Sequence, residues 1–270
     1  MNYRHHYHAG NFADCVKHAL YLALLRRITR KDKPVFLLDT HAGIGRYDLA
    51  AGPAEKTGEW RGGIGRVMES AAPALADYTG LVRELGLYPG SPAIARAAMR
   101  EGDRLALCEL HDEDAATLRR GFRHDPRVQV HHRDGYEALR ALLPPPERRG
   151  LILLDPPFER ADEFAALAAA LEGAWRKFPS GLYAAWYPVK HRPPVRAFFM
   201  DLAARGIRDV IAAEFLLRPP ADPARLNGCG LAIVNPPFGF EAEAEAILAA
   251  LAGILAEADG GFSVTRLAGE

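Results

Sequence analysis

The sequence predicts an α/β fold with a seven-stranded, mostly parallel sheet, one antiparallel strand and a small helical insertion subdomain. Three observations predict it. Short apolar runs recur along the chain, alanine-rich stretches with helical periodicity separate most of them, and one connection is too rich in proline to be a helix. Strands that alternate with helices are typical of βαβ units and a parallel sheet.

Seven apolar runs, each ending in a polar or turn residue, are the predicted strands. They lie at residues 35–38, 105–108, 128–131, 151–154, 182–187, 210–217 and 231–234. With 270 residues, 49% of them hydrophobic, the chain is long enough for one large α/β core. We therefore expect a single domain over residues 1–270.

The gap between the first two predicted strands indicates an insertion. Asp39 and Glu109, which end these strands, are 70 positions apart. In a simple nucleotide-binding unit, the acidic residue follows the glycine turn by roughly 20 positions. The pattern of the extra residues is helical, so we expect a helical insertion at about residues 47–98.

The connection between the last two predicted strands indicates a reversed strand. Residues 218–229 contain too much proline for a crossover helix, and a parallel pair needs a crossover of about a dozen residues or more. The last two strands are therefore expected to be antiparallel neighbours. One reversed strand near the edge of such a sheet is the arrangement of Rossmann-like, class I methyltransferases, and a dinucleotide dehydrogenase sheet lacks it.

Composition and charge restrict the classes of protein. A net charge of zero argues against a general nucleic-acid coat protein. Residues 1–35 nevertheless carry a net charge of +5 and residues 241–270 a net charge of −5, which indicates either a polyanion-facing end or ordinary helix-surface charge. No apolar run reaches the roughly 20 residues of a membrane span. Three well-separated cysteines predict neither disulfides nor a zinc knuckle, but a reduced cytoplasmic protein without membrane association.

Acidic residues at the carboxyl ends of four strands predict a ligand crevice there. These residues are Asp39, Glu109, Asp134 and Asp155. Gly43 and Gly45 permit a tight turn after the first strand, but Asp48 occupies the position of the third glycine in the dinucleotide fingerprint.

An acid before this turn would repel a pyrophosphate but suits a cationic amino-acid group. S-adenosylmethionine carries an ammonium and a sulfonium and no phosphate. We therefore expect it as the cofactor, with Asp39 and Gly43 at the turn. Glu109 would accept from the ribose hydroxyls, and Asp134, followed by Gly135, would lie near the adenine.

The string Leu-Ile-Leu-Leu-Asp-Pro-Pro-Phe at residues 151–158 predicts the catalytic site. The Asp155 carboxylate and the Pro156 carbonyl can each accept one N–H of an exocyclic base amine, which directs the nitrogen lone pair at the methyl group. Phe158 offers a stacking face for a flipped-out base. Transfer is then an in-line displacement in which positioning supplies most of the help, and Asp155 can take the proton that the product loses.

A second copy of this motif, Asn-Pro-Pro-Phe, lies at residues 235–238. Asn235 follows the reversed strand, whereas Asp155 lies one strand–helix–strand step after Asp134. We therefore interpret Asn235 as structural, with Phe238 packed nearby. An Asn-Pro-Pro-aromatic motif also occurs in methyltransferases of this kind, so a catalytic Asn235 stays open.

The N-terminal string is the most specific feature of the sequence. It reads Tyr-Arg-His-His-Tyr-His-Ala-Gly-Asn-Phe-Ala-Asp-Cys-Val-Lys-His at residues 3–18. Its histidines match no standard metal spacing, so no metal is expected. Together with residues 39–47, 88–96 and 153–158, it closely resembles the RlmJ-type bacterial methyltransferases. That family modifies N6 of one adenine in 23S ribosomal RNA, and the resemblance runs nearly end to end.

The resemblance implies a role for individual residues. The segment 1–33 corresponds to the family's motif ten, and protein-free RNA is the implied substrate of a protein that we expect to be a monomer. The matching cofactor contacts are Lys17, His18, His41, Ser91, Glu109, Asp134 and Gly135, the catalytic acid is Asp155, and the residues that reach the RNA are Tyr3 and Arg4. One departure is Phe158, where tyrosine also occurs in such proteins, but stacking needs no hydroxyl.

Other interpretations remain open. The same chemistry could act on guanine N2 in RNA, on adenine N6 in DNA or on a glutamine side chain. An NAD-dependent oxidoreductase is disfavoured by the broken glycine fingerprint, and a non-catalytic RNA-binding scaffold by the intact acidic residues. Ser91, followed by proline, would equally suit a helix N-cap.

Overall fold

A computed structural model describes residues 5–269. This part of the chain contains ten strands. They are β1 (Phe36–Asp39), β2 (Arg46–Tyr47), β3 (Tyr88–Pro89), β4 (Arg104–Glu109), β5 (Val128–His132), β6 (Gly150–Leu154), β7 (Leu182–Val189), β8 (Val210–Leu216), β9 (Gly228–Val234) and β10 (Gly261–Ala268).

Eight of these strands form one sheet in the order β10-β8-β9-β7-β6-β1-β4-β5. Strands β5, β4, β1, β6 and β7 pair in parallel, while β9 lies between β7 and β8 and is antiparallel to both. The α/β methyltransferase-like arrangement is therefore confirmed, and the seven predicted strands and the antiparallel pairing of the last two are all present.

The predicted count of seven strands is one too few. Strand β10 pairs antiparallel with β8 at the edge of the sheet and is a second reversed strand. Its sequence, Gly-Phe-Ser-Val-Thr-Arg-Leu-Ala, has only exposed and half-buried positions and contains no apolar run. The search for buried runs therefore missed it, because an edge strand with one face towards solvent does not produce such a run.

Ten α-helices surround the sheet within residues 5–269. They are α1 (Phe12–Ile28), α2 (Gly52–Thr57), α3 (Arg66–Glu69), α4 (Ala76–Leu85), α5 (Ser91–Ala98), α6 (Asp112–Phe122), α7 (Gly135–Leu142), α8 (Glu163–Lys177), α9 (Arg192–Ala204) and α10 (Phe240–Leu255). Side chains of α1, α5, α6 and α10 form the core on one face of the sheet, and those of α7, α8 and α9 form the core on the other. None of these helices is both long and apolar enough to span a bilayer.

Helix α1 is buried around most of its circumference, which is typical of a helix enclosed on all sides. It packs between the sheet, α5, α10 and a π-helical turn, Arg61–Gly65, that belongs to the segment inserted after β1. The short ribbon β2–β3 joins the two ends of this segment.

The inserted segment is tied closely to the chain just before α1. The Ile64 amide donates to the Gly10 carbonyl at 2.8 Å. A Cβ atom on Gly63 would lie 2.1 Å from the same carbonyl oxygen, so only glycine allows this approach. The chain that leads into α1 is therefore fixed against the insertion.

Candidate active site

A cleft of about 1190 Å³ lies at the carboxyl ends of the central strands. Most of the predicted site residues line it, although they come from distant parts of the chain. They are Lys17, His18, His41, Gly43, Ser91, Glu109, Asp134, Gly135, Asp155, Pro156 and Phe158. Asp39 does not line the cleft, and Tyr3 and Arg4 lie outside the described residues.

The turn after β1 is held by the carboxylate at the end of β4. Gly43 has a φ of 60°, and its amide donates to Glu109 Oε2 at 2.8 Å, while the His111 amide donates to Glu109 Oε1 at 2.8 Å. Burial raises the pKa of Glu109, and these two amides oppose the shift. Because each carboxylate oxygen has two lone pairs, Glu109 can still accept from two further hydroxyls.

Asp39 lies behind the cleft wall, completely buried. It accepts a hydrogen bond from the His41 amide at 3.2 Å. Burial raises the pKa of Asp39 to about 7, opposed by the Ser91 hydroxyl and reinforced by the charge of Asp155. Burial also lowers the pKa of His41 to about 4, so its ring is neutral near pH 7.

Asp134 is the N-cap of α7. Its Oδ1 atom accepts from the Tyr136 and Glu137 amides at 2.9 and 3.0 Å, as N-cap residues do. A Cβ on Gly135 would lie 2.2 Å from the Thr40 carbonyl oxygen. Glycine at 135 therefore lets α7 begin directly against the turn that follows β1.

A buried cluster of charges forms the floor of the cleft. Lys17 Nζ lies 2.6 Å from Asp155 Oδ2 and 2.9 Å from Asp14 Oδ1. Burial alone would lower the pKa of Lys17, but the two carboxylates outweigh it and raise this pKa well above its ordinary value. The His18 Nδ1 atom lies 3.1 Å from the Tyr88 hydroxyl, which fixes the ring beside this cluster.

The Asp-Pro-Pro-Phe loop begins directly after β6. Phe158 has a φ of 51°, a left-handed conformation that is uncommon for a bulky residue. Its ring packs edge-on against Phe164 and Trp186, with centroids at 4.8 and 5.8 Å. The unusual backbone thus turns the Phe158 side chain into an aromatic wall of the cleft.

Asn235 lies at the end of the strands that is opposite to the end where Asp155 lies. Because β9 is reversed, its carboxyl end meets the start of β7, where Asn235 Nδ2 donates to the carbonyls of Pro179 and Gly181 at 2.8 and 2.6 Å. The predicted packing of Phe238 is wrong, since its side chain is 101% exposed. This loop has turned its aromatic ring away from the core.

The basic N-terminal stretch does not form one polyanion-facing surface. Along α1, Lys17 points into the cleft, whereas Arg26 and Arg27 pair with Asp77 and Glu243. The cations at residues 30–33 follow the end of α1 and precede β1, so they lie at the end of the parallel strands that is remote from the cleft. A helix of 17 residues spans roughly 25 Å, so charges that are close in sequence end on opposite sides of the molecule.

Sequence reasoning missed three groups at this site. Asp14 bridges to Lys17 and accepts from the Gly10 amide at 3.0 Å, and its spacing from Lys17 and His18 on one helix face could have revealed it. Trp186 reaches the site from a remote segment that shows no local pattern. Tyr88, which contacts His18, begins the segment 88–96 that carries the resemblance, but the resemblance implied no role for it.

Sequence comparisons find known proteins that are similar to this chain over most of its length. The sequence model of the family described as "Ribosomal RNA large subunit methyltransferase D, RlmJ" matches residues 32–268. The chain is 41% identical to ribosomal RNA large subunit methyltransferase J of Escherichia coli K12 over 256 residues, which cover 92% of this chain and 91% of the relative. It is 39% identical to the protein of the same name from Haemophilus influenzae, with 92% of each chain covered.

Solved structures show the same fold. Protein LPL1258 from Legionella pneumophila superposes with a TM-score of 0.89 at 36% identity, covering 96% of this chain and 98% of that one. A probable spermidine synthase from Corynebacterium glutamicum superposes with a TM-score of 0.54 at 14% identity, covering 94% and 75%. The second similarity concerns the fold alone.

Proposed function

Because the chain belongs to the RlmJ family of ribosomal RNA large subunit methyltransferases, we propose that it methylates N6 of one adenine in 23S ribosomal RNA. The methyl donor is S-adenosylmethionine. The observation that carries the proposal is the Asp155 carboxylate, fixed by Lys17 at 2.6 Å in the floor of the cleft. It lies where parallel α/β folds bind their ligands.

The residues of the cleft fit the cofactor by their chemistry. Glu109 has lone pairs free for the ribose hydroxyls, and both described hydrogen bonds of Asp134 go to Oδ1, which leaves Oδ2 for the adenine amino group. The acids Asp39 and Asp155 suit a cationic amino-acid group. His41, Ser91 and His18 complete the proposed binding site. At about 1190 Å³, the cleft exceeds the roughly 300–1,000 Å³ of a single-ligand site, so it has room for a nucleotide as well.

The donor supplies an electrophilic methyl group on a positively charged sulfur. We propose that Asp155 and the Pro156 carbonyl each accept one N–H of the target amine and so aim its lone pair at that methyl carbon. As the nitrogen–carbon bond forms and the carbon–sulfur bond breaks, the amine gains a positive charge, and Asp155 takes its proton. Phe158 and Trp186 flank the position of the flipped-out base.

We propose that Tyr3 and Arg4 contact the RNA, that segment 1–33 and the helical insertion at about 47–98 are parts of a single methyltransferase domain, and that the protein is a monomer. We also propose that it acts on protein-free RNA in the cytoplasm.

The test is a transfer assay with labelled S-adenosylmethionine on deproteinised 23S ribosomal RNA, followed by nucleoside analysis. N6-methyladenosine is the expected product. N2-methylguanosine would keep the mechanism but overturn the choice of base. Labelling of DNA or protein alone would overturn the choice of substrate, and no incorporation despite calorimetric cofactor binding would favour a non-catalytic scaffold.

A further inference from the structure

Three cationic side chains line the cleft without a hydrogen bond or ion pair to any other residue that the structure describes. We propose that Arg66, Lys190 and Arg225 bind backbone phosphates of the RNA strand around the target nucleotide. This inference rests on the proposed function, since it assumes RNA as the substrate, and it adds residues from three segments that lie outside the N-terminal region.

Other cations of the cleft are already neutralised. Lys17 lies between Asp14 and Asp155, while Arg160 pairs with Asp162 at 2.7 Å and Arg218 pairs with Glu257 at 2.6 Å. In contrast, the exposed side chains of Arg66, Lys190 and Arg225 have no hydrogen bond or ion pair within residues 5–269. Only at longer range does the charge of Arg225 act on Glu257.

Lys190 and the loop that carries Arg225 are parts of one rigid wall. Asn227, only 1% exposed, donates from Nδ2 to the carbonyls of Lys190 and Asp222, each at 2.7 Å. Its amide also donates to the Val189 carbonyl at 3.0 Å. Two unpaired cations are therefore held on a preorganised backbone, which reduces the entropy lost when they bind a ligand.

Arg66 belongs to the inserted segment and is fixed by a different anchor. It follows the turn whose Ile64 amide bonds to the Gly10 carbonyl and whose Gly63 packs against that same carbonyl. The insertion thus brings a free cation to the cleft from a part of the chain far from β7 and the β8–β9 loop.

The chemistry of these three cations matches a strand of phosphates better than it matches the cofactor. S-adenosylmethionine carries an ammonium, a sulfonium and a single carboxylate, so its net charge is positive and it offers only one anionic group to three separate cations. RNA bears one negative charge per nucleotide, and cations that neutralise phosphates position a strand without reading its sequence. A protein with a net charge of zero needs such cations at the site of binding, because its overall charge does not attract RNA.

The test measures how RNA affinity depends on salt. Each phosphate contact contributes about 0.7 to 0.9 to the slope of log affinity against log salt. We expect the triple variant Arg66→Ala/Lys190→Ala/Arg225→Ala to lower this slope by about 2 to 3, and each single variant by about 1. In methylation assays we expect KM for RNA to rise about tenfold or more in the triple variant, while kcat and the calorimetric affinity for S-adenosylmethionine stay the same.

The matched control is Arg208→Ala. Arg208 is also exposed and has no hydrogen bond or ion pair among the described residues. It lies just before β8, however, at the end of the strands that is remote from the cleft. We expect its salt slope to equal that of the unaltered protein. A triple variant indistinguishable from Arg208→Ala, in a protein that methylates RNA, would overturn the inference. An unaltered protein that neither binds nor methylates RNA would overturn the proposed function itself.

Discussion

The Nζ atom of Lys17 lies 2.6 Å from Oδ2 of Asp155, although the two residues are 138 positions apart in the chain. One residue belongs to the helix that precedes the sheet and the other to the loop after its central strand. Because Lys17 is also held by Asp14, it fixes the direction of the Asp155 carboxylate and leaves Oδ1 for the substrate amine.

Replacing Asp155 by alanine is expected to abolish methyl transfer while the cofactor still binds. Asp155→Asn, which keeps the shape but accepts no proton, should slow turnover about 10²- to 10⁴-fold. Single-turnover kinetics and calorimetry would measure the two effects separately. Undiminished turnover in Asp155→Ala would disprove its catalytic role and turn attention to Asn235.

Lys17→Met is expected to impair both transfer and stability. It leaves the buried Asp14 and the nearby Asp155 without their cation, at a cost of about 3–5 kcal/mol. Since the pKa of Lys17 is raised, its stabilisation in the unaltered protein is complete at neutral pH and is lost only in strong alkali. Chemical denaturation at pH 7 measures the loss, and the exposed Lys56→Met is the control. Equal stability of the two variants would contradict the burial argument.

The pKa of about 7 for Asp39 predicts a specific pH dependence. This pKa is higher than in the unfolded chain, so Asp39 favours the fold at low pH, and its contribution to stability falls as the pH rises from about 4 through 7. Asp39→Asn should therefore raise the melting temperature more at pH 8 than at pH 5. An ionised Asp39 also attracts a cation, so we expect S-adenosylmethionine affinity to increase between pH 6 and 8. A variant with the unaltered pH profile would exclude Asp39 as its source.

Asn235→Ala is expected to destabilise the fold without affecting catalysis. It removes two hydrogen bonds to the carbonyls of Pro179 and Gly181 and places alanine at a φ of 56°, so we expect a loss of about 1–3 kcal/mol. Denaturation curves and kcat at 20 °C would be compared. A fall in kcat of the fully folded variant as large as that of Asp155→Asn would mean that Asn235 takes part in transfer.

Deletion of residues 1–4, which include Tyr3 and Arg4, is expected to impair RNA methylation more than cofactor affinity. The described chain from His8 onward is anchored to the insertion by Glu59, which accepts from His8 at 3.0 Å and Asn11 at 3.1 Å, so the deletion should leave the cofactor site intact. KM for RNA and calorimetric cofactor affinity are the two readouts. Equal losses in both would indicate a structural role for the segment.

The sequence was sufficient for the central fold because buried strands have a distinct pattern. Runs such as residues 151–154 are apolar throughout, and an acidic residue lies at or just past the carboxyl end of four of the seven runs. The edge strand β10 has no such pattern, since three of its eight residues are exposed and none is fully buried. The same reasoning placed Asp155 and Glu109 in one cleft, because the carboxyl ends of parallel strands lie on the same side of the sheet.

Contacts between remote segments could not be predicted in this way. The pairing of Lys17 with Asp155, the aromatic contact of Phe158 with Trp186 and the buried position of Asp39 depend on how helices pack across the sheet. The net charge of residues 1–35 was also a misleading guide to a polyanion-binding surface. The basic N-terminal stretch is divided between both ends of α1, whereas the unpaired cations of the cleft come from segments in which no charge cluster is visible.

The edge strand β10 has a consequence for how the chain avoids self-association. Strand β8 is almost entirely buried and carries the apolar sequence Val-Ile-Ala-Ala-Glu-Phe-Leu. Without residues 261–268, its outer edge would present unpaired amides and carbonyls beside these side chains, which is a template for aggregation. The more polar β10, in which Thr265 and Arg266 are exposed, pairs with that edge, so protection of the folded chain against such association depends on residues that take no part in the cleft.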